Sequence, residues 1–347
     1  MRVLRDLSPA AVAAGFVAVL VGFTSSAVIV FQAAKAAGAT PAQAGSWMWA
    51  LGLGMGLTSI GLSLRYRMPV LTAWSTPGAA LLITSVAGLP MPEIIGAFVL
   101  TGALIVAAGV SGLFARLMSR IPIAIASAML AGVLVRFGLD AFASLESELA
   151  LVLAMIVTYL VARLWVPRYA VLLTLAVGLA IAWGKGLMGH IDAPSGLTRP
   201  EWVTPDLSLA AVVGVAIPLF LVTMASQNVP GAAVLRAHGY DPPISPVIAT
   251  TGVATTVLAP FGGFALNLAA ITAAICMGRE AHPDPDRRYT AAVSAGVFYV
   301  VIGLFGAAVA GFFAAFPQEL VLAIAGLALL GTIGNGLATA LDGERDR

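Results

Sequence analysis

The amide side chains of Gln227, Asn228 and Asn267 lie inside long apolar stretches of the sequence, where they could bind a polar ligand. Gln227 and Asn228 are adjacent in one apolar stretch, and Asn267 follows a pair of glycines in another. An amide without a partner in lipid is costly, which favours a binding site or cavity over a lipid-facing surface. Neighbouring helix positions diverge by about 100°, so we expect Gln227 to face the ligand and Asn228 to contact another helix.

Two segments that interrupt the apolar pattern supply further candidates. In residues 69–88, Pro77 is poorly tolerated in a helix interior but well tolerated in a first turn. This predicts an extended stretch followed by a half-helix that starts near Ser75 or Thr76. Residues 260–268 carry two glycines and have a similar character. Such paired, interrupted segments in corresponding positions of two halves indicate a transporter binding site, because irregular chain in a membrane must be packed or line a cavity.

Half-helix N-termini that meet near the membrane midplane present free N–H groups and positive dipole ends, which favours an anionic ligand. Small hydroxyl residues can equally allow close helix packing, and aromatic residues at this depth can stack on a ligand or belong to the core. For the hydroxyl and the aromatic candidates, the sequence is compatible with a binding role and with a packing role. The candidate substrate-binding residues are Ser25, Ser26, Trp74, Ser75, Thr76, Gln227, Asn228, Gly263, Phe264 and Asn267.

The composition places these residues in a membrane. The 347 residues are 60% hydrophobic and only 10% charged, with a mean hydropathy of +1.00. These values exclude a disordered chain and a nucleic-acid-binding protein, and the single cysteine, Cys276, excludes a disulfide scaffold. No metalloprotease, nucleophile-elbow or Walker motif is present, so we expect no enzyme activity, catalytic residue, metal or cofactor.

The hydropathy pattern predicts an all-α polytopic membrane protein with about 12 spans. Of 18 Lys and Arg residues, all but Lys35, Arg136, Lys185 and Arg199 fall on the side of the N-terminus, which predicts that both termini are cytoplasmic. The predicted spans are roughly 10–34, 43–64, 69–88, 92–115, 121–138, 148–165, 169–189, 207–235, 243–260, 263–278, 288–315 and 318–341.

A weak internal repeat relates the two halves. The loop patterns at 38–41 and 239–242 are 201 residues apart, and the broken spans 3 and 10 hold corresponding positions. Residues 1–190 (spans 1–7) would form a first repeat, and residues 207–341 (spans 8–12) a second. Seven spans is an odd number, so the second copy would be inverted. Two copies of seven spans would total 14, whereas about 12 are predicted and the second copy has only five. Either the chain continues or the second copy is short.

Three stretches resemble the benzoate/proton symporter (BenE) family: residues 69–78, 225–233 and 260–268. That family is distantly similar to nucleobase permeases and anion exchangers. The resemblance implies an inverted-repeat transporter in which spans 1–4 and 8–11 form a core and spans 5–7 and 12 a gate. It also implies that substrate lies between the half-helices of spans 3 and 10, with span 8 contributing side chains. Nucleobase permeases carry acidic residues where this chain has Gln227 and Asn267, and this neutrality favours an aromatic carboxylate.

We therefore expect a secondary active transporter of the bacterial inner membrane that imports benzoate or a similar aromatic carboxylate with protons by alternating access. The alternatives are a channel-like or exchange pathway for small inorganic anions and a nucleobase-type permease. Partners beyond substrate, protons and lipid are not expected, except a second copy, since relatives of the fold are often dimers. No side chain is evident as proton carrier, and one hypothesis is that proton and carboxylate travel together.

Overall fold

The chain is described by a computed structural model that covers residues 5–112, 135–136, 138–166, 170–189, 196–278, 281–306, 308 and 315–341. Most of the predicted fifth span, 121–138, lies outside the described residues. Each of the other predicted spans contains a described helix, which covers only part of the predicted range in spans 3, 10 and 11. These helices are α1 (Pro9–Ala36), α2 (Pro41–Tyr66), α3 (Thr76–Ser85), α4 (Met91–Val110), α5 (Leu149–Trp165), α6 (Ala170–Gly184), α7 (209–237), α8 (Ile244–Leu258), α9 (Ile271–Met277), α10 (Tyr289–Leu304) and α11 (Gln318–Leu341).

Four helical segments within the described residues are long and apolar enough to cross a membrane: Pro41–Tyr66, Met91–Val110, Leu209–Leu235 and Ile244–Phe261. Shorter apolar helices are Ser26–Ala36, Leu149–Trp165 and Leu173–Gly184. The chain is thus a helical membrane protein, while the total of 12 spans stays a prediction.

Local sequence determines where the helices begin and end. Ser8 caps α1 by accepting a hydrogen bond from the Ala11 N–H. Thr40 and Gln43 form a reciprocal capping box at the start of α2, whose first residue is a proline. Helix α2 ends where Arg67 adopts a left-handed conformation.

Glycines bring two pairs of helices into close contact. A Cβ added at Gly52 of α2 would lie 2.5 Å from the Gly303 Cα of α10. In the second pair, a Cβ at Gly102 of α4 would lie 3.0 Å from the Gly252 carbonyl oxygen of α8. No side chain fits at either crossing, so the Gly-rich 52–56 segment is a helix-packing motif.

The broken spans 3 and 10 meet in a two-stranded antiparallel sheet. Strand β1 (Thr72–Trp74) precedes α3, and strand β2 (Leu266–Leu268) precedes α9. Thr72 pairs with Leu268, Ala73 with Asn267, and Trp74 with Leu266. The predicted extended stretch followed by a half-helix is confirmed in both segments.

Hydroxyl groups of α2 hold β1 in place. The Thr72 hydroxyl lies 2.7 Å from the Thr58 hydroxyl and 2.9 Å from that of Ser59, and the Thr72 N–H donates to Ser59 Oγ. The Ser63 hydroxyl donates to the Val70 carbonyl. Because all these hydroxyls are buried, the network satisfies polar backbone that a broken span would otherwise expose to lipid.

Thr72→Val is expected to lower the free energy of unfolding by about 1–3 kcal/mol, because it keeps the shape of the side chain but removes the hydroxyl that Thr58 and Ser59 contact. Denaturation of the purified protein by SDS in mixed micelles measures this change. Thr84→Val is the matched control, since Thr84 is exposed and bonds only within α3. Equal stability of the two variants would contradict a structural role for the network.

An ion-pair cluster joins three segments on the side of the chain predicted to be cytoplasmic. Asp6 accepts a hydrogen bond from the Tyr289 hydroxyl (2.8 Å) and pairs with Arg67 (2.9 Å) and Arg287 (3.8 Å). The Tyr289 hydrogen bond and, after it, the two guanidinium charges hold the pKa of Asp6 below its usual value, against an opposing contribution from burial. The cluster ties the start of α1 to the α2–β1 loop and to α10.

Candidate functional site

The candidate site lies where the two broken spans cross. Beyond the β1–β2 pairing, the Ser75 N–H donates to the Ala265 carbonyl (3.1 Å), and the Ala269 N–H donates to the Leu71 carbonyl (2.9 Å). Backbone hydrogen bonds therefore continue past both ends of the short sheet. This fixes the start of α3 beside β2 and brings residues 75 and 267, which are far apart in sequence, to one place.

Helix α3 presents its N-terminus at this crossing. The Ser75 side chain is the N-cap and accepts a hydrogen bond from the Gly78 N–H (3.0 Å). Pro77 has no N–H, and the Gly78 and Ala79 N–H groups bond to Ser75, so in the first turn the Thr76 N–H is the donor without a partner among the described residues. Ser75 is fully buried, whereas Thr76 is half-buried. The Ser75 hydroxyl thus positions the helix, and Thr76 is the accessible member of the pair.

The chain that leads into β2 has an unusual backbone. Gly262 has a φ of 90°, and a Cβ there would lie 1.8 Å from Trp47 Cδ1, so only glycine fits. Gly263 packs its backbone against Leu258. Ala265 has a φ of 42°, a left-handed conformation that costs an alanine about 1–2 kcal/mol. This conformation aims the Ala265 carbonyl at both the Ser75 N–H and the Asn267 side chain.

Asn267 is fully buried and only half satisfied. Its Nδ2 donates to the Ala265 carbonyl (3.0 Å), whereas its Oδ1 has no hydrogen-bond partner among the described residues. Ala73, directly opposite in the sheet, is half-buried although both of its strand neighbours are buried. Asn267 and Ala73 share one face of the sheet, so the accessible face is the one that carries the amide.

Helix α7 carries the other two amides and is bonded to β2 through Asn228. It runs through five consecutive pieces and is widened by two π-helical turns, Val212–Ala216 and Met224–Asn228. Asn228 is fully buried; its Oδ1 accepts a hydrogen bond from the Leu268 N–H (3.0 Å), and its Nδ2 contacts Met224 Sδ (3.2 Å). Gln227 is half-buried and makes no hydrogen bond within the described part of the chain. Asn228 therefore holds β2 in place, and Gln227 is available to a ligand.

Thr223 is a candidate that the sequence patterns do not single out. It lies one turn before Gln227 on α7, is fully buried, and its hydroxyl has no partner among the described residues. The only sequence signal is its four-residue spacing from Gln227, which places both side chains on one helix face.

The predicted aromatic candidates are packed against protein. The Trp74 indole N–H donates to Ser26 Oγ (3.0 Å), and its ring meets Phe23 edge to face. The Ser26 hydroxyl in turn donates to the Gly22 carbonyl. Phe264 is fully buried against Trp47 and Phe98. The side chain of the remaining candidate, Ser25, lies outside what the structure describes.

The two half-helices differ in length. Helix α3 has ten residues, but α9 has only seven, from Ile271 to Met277. Fewer than two turns align few peptide dipoles, so the stronger positive helix end at the crossing belongs to α3. The two helix ends that were expected to converge at the site therefore differ in the strength of their positive dipole ends.

Two clefts lie away from the crossing, beside the Asp6 cluster. One, of about 500 Å³, is lined by residues that include Arg67, His238, Tyr240 and Asp286. The other, of about 320 Å³, is lined by Arg5, Asp6, Arg67 and Arg287. Both are lined by charged side chains, in contrast to the neutral crossing.

Comparisons with known proteins agree on a transporter. The family described as BenE, benzoate membrane transport protein, matches residues 5–347. The inner membrane protein YdcO of Escherichia coli K12 is 52% identical over 344 residues, which cover 99% of this chain and 88% of that protein. The benzoate membrane transport protein of Acinetobacter baylyi is 38% identical over 343 residues, covering 99% and 87%.

A solved structure shares the fold. The transmembrane domain of the cyanobacterial bicarbonate transporter BicA superimposes with a TM-score of 0.63, covering 96% of this chain and 94% of that chain. The sequence identity is 13%, so this similarity bears on the fold alone.

Proposed function

Because the chain belongs to the benzoate membrane transport protein family, whose members are membrane transporters rather than enzymes, we propose that it imports benzoate or a similar aromatic carboxylate together with protons. The observation that carries the proposal is the crossing of β1 and β2, where Asn267 Oδ1 is buried without a partner among the described residues and helix α3 begins. We propose that Thr76, Gln227 and Asn267 surround a neutral, largely buried site at this crossing. A neutral site suits a ligand whose polar end is a single carboxyl group and whose remainder is apolar.

Each predicted site residue receives a role in this proposal. The Thr76 N–H, the Gln227 amide and the Asn267 amide contact the carboxyl group. Ser75, Asn228 and Gly263 keep α3 and β2 in position, as Ser26 does for Trp74. Trp74 and Phe264 border the space for the ring, and Ser25 is placed beside Ser26 by sequence.

The mechanism we propose is alternating access by two inverted repeats. The close helix pairs support it. Helix α2 (span 2) packs on α10 (span 11), and α4 (span 4) packs on α8 (span 9). Spans 2 and 9 differ by seven, as do spans 4 and 11, so each pair is the repeat of the other. Gly303 follows Gly102 by 201 residues, and Gly252 follows Gly52 by 200, so the contact glycines repeat as well. Spans 1–4 and 8–11 would then move as a core against a gate of spans 5–7 and 12, with both termini cytoplasmic.

Uptake of labelled benzoate into proteoliposomes tests this function. We expect uptake that an inward proton gradient stimulates and that ring analogues of benzoate inhibit. Empty liposomes are the control for passive entry of the protonated acid, which is membrane-permeable. Gradient-independent flux of chloride or bicarbonate, without benzoate uptake, would instead identify an inorganic-anion pathway.

A further inference from the structure

We infer that this protein binds its substrate as the protonated carboxylic acid, whose O–H donates a hydrogen bond to Asn267 Oδ1, so that the substrate itself carries the coupled proton. The inference rests on the proposed function and adds to it the chemical form of the ligand and the group that selects this form. It starts from a buried acceptor that no described group satisfies.

An unpaired acceptor is costly in a buried site. Asn267 Oδ1 lies in a fully buried side chain, and leaving such an atom without a donor costs about 1–3 kcal/mol. A ligand that supplies a donor recovers that loss on binding. The site therefore favours a ligand that places an O–H or N–H group at this position.

The orientation of the amide is determined by its neighbour. The Ala265 carbonyl lies 3.0 Å from the Asn267 nitrogen and can only accept a hydrogen bond. If the amide were rotated by 180°, two oxygens would face each other without a proton between them. Ala265 also accepts from the Ser75 N–H, so its position is fixed by the backbone of α3.

The acceptor lies beside an accessible position. Ala73 is the cross-strand partner of Asn267 and is half-buried, whereas its neighbours Thr72 and Trp74 are buried. Cross-strand Cβ atoms lie about 4.5–5.5 Å apart. The side chain of Ala73 is a single methyl group, so it leaves room on the sheet face next to Asn267. A ligand that reaches Ala73 therefore comes within reach of the Asn267 amide.

The two forms of the substrate differ in how they meet this acceptor. A carboxylate has only acceptor oxygens, so it would bring negative charge against the partial negative charge of Oδ1. A carboxylic acid has one O–H donor and one carbonyl acceptor. Its O–H fits Asn267 Oδ1, and its carbonyl fits the Thr76 N–H of α3 or the Gln227 amide.

The described elements that pack against β2 offer no alternative proton carrier. Strand β1 and helices α2, α7 and α8 pack against β2 and contain no Asp, Glu, His or Lys. Their ionisable residues, Arg65, Tyr66 and Arg236, lie at helix ends. The bound acid thus keeps its proton through the translocation step and dissociates when it reaches neutral cytoplasm, which delivers one proton for each benzoate and moves no net charge.

Equilibrium binding to the full chain in lipid nanodiscs tests the inference with two ligands, benzoate and benzamide. Carboxylic acids titrate near pH 4, so the protonated fraction falls about tenfold for each pH unit above that value. We expect the Kd for total benzoate to rise about a hundredfold between pH 6 and pH 8. Benzamide, which has an N–H donor at every pH, should compete with the same affinity at both values.

Asn267→Leu removes the acceptor at similar volume and should reduce the benzoate pH ratio several-fold and weaken benzamide at least tenfold. Ser85→Ala is the matched control, because the Ser85 hydroxyl is also without a described partner but lies at the far end of α3. It should retain the wild-type ratio. The benzamide measurement needs only the wild-type chain, so it decides the matter even if Asn267→Leu does not fold.

Equal benzoate affinity at pH 6 and pH 8, or failure of benzamide to compete, would overturn the protonated-acid assignment while leaving benzoate transport intact. Absence of benzoate binding at both pH values, in protein that is folded by its melting curve, would overturn the proposed function as well.

Discussion

Gly231→Ala is expected to lower benzoate uptake by tenfold or more while the protein remains folded. A Cβ at position 231 would lie 2.5 Å from Leu268 Cβ and 3.0 Å from the Leu268 carbonyl oxygen. The carbonyl oxygen belongs to the backbone of β2, and the Cβ is bonded directly to that backbone. Because β2 is fixed by its pairing with β1, either the strand or α7 must shift. Overpacking of this kind costs about 1–3 kcal/mol, and about 1.4 kcal/mol corresponds to a tenfold change.

Gly214→Ala is the matched control for this prediction. Gly214 lies on the same helix, α7, but nothing is within 4 Å of the Cβ that the substitution adds. Initial uptake rates in proteoliposomes, normalised to reconstituted protein, compare the two variants. Because alanine favours helix over glycine, neither variant should lose helix content. Unchanged uptake by Gly231→Ala would show that the position of β2 does not determine activity.

Gln227→Ala is expected to weaken benzoate binding by tenfold or more with little change in stability. Gln227 makes no hydrogen bond within the described chain, so its removal leaves no described group unpaired. Loss of this hydrogen bond leaves an acceptor of the bound acid unpaired in a buried site, which costs about 1–3 kcal/mol, and about 1.4 kcal/mol corresponds to a tenfold change. Binding to nanodisc-embedded protein and thermal melting, measured on the same preparation, separate the two effects.

The adjacent residue provides the contrast. Asn228→Ala leaves the buried Leu268 N–H without its acceptor, so it should lower the free energy of unfolding by about 1–3 kcal/mol. If Gln227→Ala destabilises the protein as much as Asn228→Ala and leaves binding unchanged, Gln227 is a packing residue and not a ligand contact.

Local features of the crossing could be predicted from sequence because proline and glycine act locally. Pro77 alone indicates that a helix begins near Ser75, and the structure places the N-cap at Ser75. Gly262 and Gly263 indicate irregular chain, and Gly262 has a positive φ. The divergence of neighbouring helix positions separates Gln227 from Asn228, and only Asn228 is bonded to β2.

The remaining features depend on contacts between distant residues. Strands of three residues are too short to show an alternation of apolar and polar residues. The pairing of Ala73 with Asn267 could therefore not be predicted from the sequence. The bond from the Leu268 N–H to Asn228 and the network around Thr72 join different spans. The π-helical turn at Met224–Asn228 has no sequence signature, although such turns are frequent at functional sites.

The unequal lengths of α3 and α9 depend on how much of each broken span the strand takes up. Residues 263–278 are mostly apolar, and composition alone does not divide them between a strand and a helix. In the structure much of this segment is used by β2 and the turn before it, and seven residues remain for the helix. The site is therefore less symmetric than an inverted repeat of the sequence implies.

A density map of the protein in nanodiscs with benzoate, compared with a substrate-free map, tests the central claim most directly. We expect new density between residues 75 and 267, with the carboxyl group within hydrogen-bond distance of Asn267 Oδ1 and the Thr76 N–H. Density only in the charged clefts beside Arg67, with the β1–β2 crossing filled by protein in both maps, would contradict it.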